Sequence, residues 1–225
     1  MRKFRFLQLV LLICVLVSCE KKDNNTDNLS VDKISGYVQK GPYLNGSSIS
    51  MSELSSYLIQ TGKTYSSQIF DNKGSFELKG LELISRFIEL KADGFYFNEI
   101  RKSNSTAQLT LYALSDLTDK SSLNVNILSS LEKRRVEHLV SNGSSFKDAK
   151  SKAQSEILKT FEISKSEMME SESLDITQSG EDHAILLAIS VILQGYMEVA
   201  DLSELLANLS NDIEEDGELN DSTLG

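Results

Sequence analysis

The sequence predicts an α+β fold: an N-terminal antiparallel β-sandwich followed by a C-terminal helical domain of about four helices. Two observations carry this. From Lys33 to Ala113, apolar residues recur with period two in short runs separated by turn residues. After Asp116 the spacing changes to 3.6. A third observation sets the start of the fold, because residues 1–18 read as a leader and residues 19–32 as a polar tether. The sandwich is assigned to 33–114 and the helical domain to 122–217. Residues 218–225 form a tail at which the unit looks cut short.

Composition narrows the function. The chain has 225 residues with 40% apolar and 25% charged side chains, which excludes wholesale disorder. A net charge of −10 argues against nucleic acid as a partner. Two cysteines are too few for a disulfide framework, and two histidines leave little material for metal or acid–base chemistry.

The leader opens with Arg2, Lys3 and Arg5, followed by Phe6 to Val17, apolar except for Gln8. That run is too short to span a bilayer, which takes about 20 residues. It ends in Leu16-Val17-Ser18-Cys19, which resembles the bacterial lipobox at every position. The resemblance implies cleavage before Cys19, thioether lipidation of its sulfur and stable membrane anchoring by two or more acyl chains. Cys14 is no rival, since β-branched Ile13 precedes it. Glu20 to Asp32 carries only Leu29 and Val31 as apolar residues and is expected to be a disordered tether. Glu20 rather than Asp after the cysteine resembles outer-membrane lipoproteins of the Bacteroidota type, some of them surface-exposed.

Ile34, Gly36 and Val38 share one side of a first strand, and Ile49 with Met51 a second. Tyr65, Ser67 and Ile69 follow. Asp71-Asn-Lys-Gly74 is a turn by composition, and Phe76 and Leu78 alternate after it. Ile88, Leu90 and Ala92 form a fifth strand, Phe95 to Ile100 a sixth, and Leu109, Leu111 and Ala113 a seventh. The segments Ile34-Ser-Gly-Tyr-Val, Gly46-Ser-Ser-Ile-Ser-Met and Asp71-Asn-Lys-Gly-Ser-Phe-Glu-Leu resemble carboxypeptidase regulatory-like domains, which are small transthyretin-like sandwiches. That resemblance implies a spacer or binding module without catalytic residues. Within Gly94-Phe-Tyr-Phe, alternation puts Phe95 and Phe97 in the core and leaves Tyr96 exposed.

Val125, Leu128, Leu131, Val136 and Leu139 make a first helical stripe, ended by Asn142-Gly143. Ser145 with Asp148 opens a second helix through Phe146, Ala149, Ala153, Ile157 and Phe161. Ser164 to Ser179 is polar and reads as a loop whose Ser179 caps the next helix. Ala184 to Leu193 is nearly all apolar and is expected to be buried on most sides. Asp201 with Glu204 reads as a capping box for a last stripe of Leu202, Leu205, Leu206, Leu209 and Ile213. Asn220 to Leu224 looks like a cap leading into a further helix, so that last stripe is expected to lack part of its cover. The runs Ser122-Leu-Asn-Val-Asn-Ile-Leu-Ser-Ser-Leu and Asp201-Leu-Ser-Glu-Leu-Leu-Ala-Asn resemble longer bacterial lipoproteins of no known activity.

No zinc-protease, serine-hydrolase, P-loop or dinucleotide motif is present. His138 and His183 stand on separate helices and make a poor zinc set. Lys133-Arg134-Arg135 reads as a charge run on an exposed face. Asp212, Glu214 and Asp216, ahead of Gly217, match the first ligand positions of a calcium loop. Thr223 stands where its bidentate glutamate belongs, so an acidic turn at a helix end is the favoured reading. No metal site and no cofactor are therefore expected. Carbohydrate stacking is conceivable through Tyr96 or Tyr43, though tryptophan is absent. The sequence thus predicts a non-catalytic binding or structural module, anchored by Cys19 to the cell outer membrane. An envelope protein or glycan is the expected partner. The alternative is an accessory subunit of a larger envelope enzyme or transport system.

Overall fold

The first strand starts earlier than the tether allows. In the computed structural model, which describes residues 29–220, β1 spans Leu29–Gln39, and Leu29 to Val31 pair with Leu83 to Leu81. Strand pairing holds this stretch: Ser30 Oγ donates to Glu82 at 2.8 Å across the pair, and Leu29 and Val31 pack partly buried against the main core. Leu29 to Asp32, expected in the tether, therefore belong to β1. Cys19, the lipobox and the tail beyond Asn220 lie outside the described residues.

The fold is α+β, with strands N-terminal and helices C-terminal. The strands after β1 are β2 (Ser48–Leu54), β3 (Gln60–Gln68), β4 (Ser75–Leu83), β5 (Phe87–Gly94), β6 (Phe97–Asn98), β7 (Ser103–Asn104), β8 (Leu109–Asp116) and β9 (Val125–Asn126). They form a three-stranded sheet β4-β1-β9, a four-stranded sheet β3-β2-β5-β8 and the small hairpin β6-β7. Only β1 and β9 run parallel. The sixth expected strand shrinks to Phe97–Asn98.

Two glycines hold this arrangement together. A Cβ on Gly36 would lie 1.7 Å from the Leu123 carbonyl oxygen, because residues 121–126 run against β1 and bond to Ser35 on both sides. Gly74 takes φ +85° at the turn before β4, and its carbonyl accepts from Val38.

Val125 belongs to β9 rather than to the first helix. α1 (Ile127–Ser141) starts after it, capped by Asn126, whose side chain accepts from Ser129 N while Ser129 Oγ accepts from Asn126 N. Asn124 and Asn126 also donate to the carbonyls of Leu174 and Ser171. The expected loop 164–179 is thus pinned in its middle, where a single 3₁₀ turn (Ser171–Ser173) buries Ser171 and Glu172.

α2 (Phe146–Thr160) is capped by Ser145 as expected. α3 (Glu181–Gln194) is preceded by Gly180 without a side-chain cap, so Ser179 does not play that part. α4 (Val199–Asp216) begins before Asp201, which sits in its first turn instead of capping it. Of the last stripe, Leu202, Leu206, Leu209 and Ile213 are buried and Leu205 is partly buried, so it does not lack its cover. The uncovered apolar face belongs to α3. Leu186, Ile189, Ser190, Leu193 and Gln194 face inward, while Ala184, Leu187, Ala188, Val191 and Ile192 are exposed. One hydrophobic core runs from Ile34 through both larger sheets to Ile213 of α4. A second, smaller one packs Leu54 and Leu114 against Val136, Leu139 and Ala153.

Candidate functional site

A cleft of about 690 Å³ lies between the outer face of the four-stranded sheet and the walls formed by α1 and α4. Alternation along β5 builds its floor. Ile88, Leu90 and Ala92 point into the core, so Glu89 and Lys91 point out, beside Thr110 and Tyr112 of the edge strand β8. The free edge of β8 is closed by α1: Ser130 Oγ accepts from Tyr112 N at 2.7 Å, and Ser129 Oγ donates to Tyr112 O at 2.8 Å. Lys133, Arg134 and Glu137 of α1 and Ser203, Ala207 and Ser210 of α4 form the walls, with Gln60 and Gln108 at the rim.

Apart from exposed Lys91, the charges in this cleft are already partnered. Lys133 Nζ lies 2.7 Å from Glu137, 3.1 Å from Glu89 and 5.4 Å from the centre of the Tyr112 ring. Burial lowers the lysine's pKa, but the two carboxylates outweigh it and hold the pKa above the ordinary value. Arg134 pairs with Glu214 at 3.2 Å. A lysine fixed as a cation is a poor base. The Thr110 hydroxyl donates to the Asp93 carboxylate across the β5–β8 pair, and no histidine lines the cleft. The cleft offers hydroxyls, amides and fixed charges, groups that can hydrogen-bond a polar molecule.

Three ionic clusters lie inside the protein, and the sequence reading missed them. Lys150 of α2 is buried with Nζ 2.6 Å from Glu132 and 2.8 Å from Glu172. Ser171 Oγ donates to the other Glu132 oxygen. The Glu172 carboxylate faces Lys150 and, at 3.6 Å, Lys120 as ion pairs, without directed hydrogen bonds. Burial pushes Glu132 up, whereas at Glu172 the lysines overcome burial and hold the carboxyl down. Lys150 stays above the lysine range despite its burial, because both carboxylates favour its charged form.

The second cluster joins β1, the hairpin and α3. Lys40 Nζ lies 2.6 Å from Glu99 Oε1 and 5.5 Å from the centre of the Tyr96 ring. Ser190 Oγ donates to the Lys40 carbonyl at 2.5 Å, and Tyr96 donates to Gln194 Oε1 at 2.8 Å. Burial lowers the Lys40 pKa against the pull of Glu99, and burial pushes Tyr96 up to about 12. In the third, Arg135 makes a two-pronged contact with Glu156 at 2.7 and 3.0 Å and donates to the carbonyls of Glu214 and Glu215 at the end of α4. None of these clusters opens onto the cleft, and their partners fasten one element to another.

These contacts correct several sequence expectations. Tyr96 and Tyr43 are fully buried and stacked with ring centres 6.1 Å apart, so neither offers a face to a sugar. Phe95 and Phe97 are the exposed residues of that run. The run at Lys133-Arg134-Arg135 is not one exposed face, since Arg135 is buried and only Arg134 stands in solvent. The favoured reading of the acidic run holds, by contrast: Asp212, Glu214 and Asp216 lie within α4, and Gly217 is its left-handed cap. His138 is half-buried, with its carbonyl accepting from Asn142 at the end of α1. His183 Nδ1 accepts from the Asp175 N–H at 3.0 Å. Among the described residues, no three His, Cys, Asp or Glu side chains are placed to hold a metal ion.

No family model, curated protein or solved structure matches this chain.

Proposed function

We propose that the chain is a lipid-anchored module of the bacterial cell envelope that binds a polar partner in the cleft between β5, β8, α1 and α4, without catalysis of its own. The observation that carries this reading is the chemistry of the cleft. It holds Thr110, Tyr112, Ser203, Ser210, Gln60 and Gln108 around a lysine locked by two carboxylates; the Thr110 hydroxyl bonds the Asp93 carboxylate as a cross-strand β5–β8 contact, with no histidine in the lining. A hydroxyl- and amide-bearing partner such as an envelope glycan suits that lining. In a chain of net charge −10, three basic side chains against two acidic ones also make it a locally non-acidic surface.

The anchor rests on Leu16-Val17-Ser18-Cys19, and the outer membrane on Glu20 after it. The two larger sheets read as the halves of an open transthyretin-like sandwich of the carboxypeptidase regulatory-like type. In support, Ile34, Phe76 and Leu78 of one sheet share a core with Ile49, Met51, Leu90 and Leu111 of the other.

Two measurements test the proposal. Metabolic palmitate labelling should tag the parent chain and not Cys19→Ser, and equal labelling would remove the anchor. Retention on columns of immobilised cell-wall glycan should fall in the double variant Lys91→Ala/Gln108→Ala, whose positions are exposed on the cleft's floor and rim. Unchanged retention, or release of reducing ends from the glycan, would overturn the binding reading.

A further inference from the structure

The outward face of α3 has an unusual composition. Its residues are Ala184, Leu187, Ala188, Val191 and Ile192, continued past Gly195 by Tyr196 and Met197, and no polar side chain interrupts them. Ile192 is 63% exposed and Tyr196 87%. The inward face meanwhile carries Ser190 and Gln194, which are taken up by Lys40 and Tyr96. The helix is apolar where it meets water and partly polar where it meets protein.

We infer that this face is covered by α3 of a second copy of the chain, packed antiparallel about a two-fold axis near Ala188. Shape points there first. With the axis at Ala188, Ala184 of one copy faces Ile192 of the other, and the two Ala188 residues face each other, so large side chains meet small ones along the seam. Charge does not oppose the pairing, since both ends of the helix are neutralised within the chain: Glu181 pairs with Lys165 at 2.5 Å and Arg101 with Glu198 at 2.8 Å.

Area is sufficient as well. Leu187, Val191, Ile192, Tyr196 and Met197 leave on the order of 500 Å² open on one copy, so a pair removes about 1,000 Å², the lower bound of a specific interface. A bilayer fits less well, because a helix lying on anionic lipid carries lysine and arginine at its flanks, and this one opens with Glu181-Asp182.

The register makes the inference testable in the full-length chain in its own membrane. The positions are exposed, so cysteine there does not disturb folding. Under mild oxidation, Ala188→Cys should give a disulfide-linked band at twice the chain mass that the parent, run alongside, does not give. Ile192→Cys alone, whose copies lie about 12 Å apart along the seam, should give little, and Ala184→Cys/Ile192→Cys should restore the band. Adding Leu187→Glu to Ala188→Cys should abolish it while leaving the far-UV circular dichroism spectrum unchanged. No band from Ala188→Cys, or equal bands from all three variants, overturns the inference. Either result assigns the face to another partner or to lipid.

Discussion

Replacing Lys150 with methionine removes the only ammonium in contact with both Glu132 and Glu172, while keeping the length of the aliphatic stem. Both carboxylates are almost wholly buried, and only Lys120, at 3.6 Å from Glu172, remains nearby. Breaking a buried ion pair from one side typically costs about 3–5 kcal/mol, because the surviving charge stays desolvated. Against a total of about 5–15 kcal/mol, such a loss removes a large part of the stability of the fold. Glu132→Gln should be much milder, since Lys150 keeps Glu172 and the amide oxygen still accepts from Ser171. The variant's pH dependence carries the sharper signal. Without Lys150, both native carboxyl pKa values rise above the unfolded value near 4.5. The folded state then holds more protons than the unfolded state between those values, and stability falls as pH rises through that window, by up to about 1.4 kcal/mol per pH unit per group. Urea unfolding followed by circular dichroism at pH 5 and pH 8 reads both effects. A Lys150→Met protein within about 1 kcal/mol of the parent at pH 8, or one less stable at pH 5 than at pH 8, would refute the claim that this lysine neutralises a buried acidic pair.

Tyr96→Phe deletes the donor to Gln194 and leaves a buried amide oxygen unpaired, which should cost about 1–3 kcal/mol in the same unfolding assay; no loss would mean that the bond is not made in solution. Gly36→Ala drives a methyl group onto the Leu123 carbonyl and should separate residues 121–126 from β1, seen as a drop in melting temperature and faster proteolysis near Ser122. A parent-like melt would place that segment elsewhere. Calorimetry with calcium should show no binding tighter than about millimolar, since α4 holds Asp212, Glu214 and Asp216 in a helix. Micromolar affinity lost in Asp212→Ala would reverse that conclusion.

The strand half was legible because each strand meets one core with one face. Ile34, Val38, Ile49, Met51, Phe76, Leu78, Ile88, Leu90, Leu109 and Leu111 are all buried, and the period of two follows. The same rule misplaced Tyr96, where a two-residue strand is too short to impose alternation and the tyrosine's partner, Gln194, lies 98 residues away. Leu29 to Asp32 was misread because composition reports side-chain burial, while main-chain pairing to β4 holds that stretch. The cleft depends on pairings of the same range. Glu89 and Lys133 read as solvated charges until a strand and a helix from different halves of the chain are brought within 3.1 Å. The three ionic clusters were hidden for the same reason, since a lysine on a helix looks alike whether its partner is water or Glu132.

α3 shows how far such long-range demands reach. Hydrophobicity alone marks it as a helix to be buried, and says nothing of which side. The inward positions 190 and 194 are taken by a serine and a glutamine because Lys40 and Tyr96, themselves fully buried, need acceptors and donors that water cannot supply there. That accounts for the polar residues inside but not for the apolar ones outside. In an isolated monomer, polar side chains at 187, 191 and 192 would leave every inward contact intact and remove a contiguous apolar patch. Leucine, valine and isoleucine at those positions are therefore neutral or harmful to a monomer and favourable only where something apolar covers them. A seam in which Ala184 receives Ile192 is a surface that this helix can supply to itself.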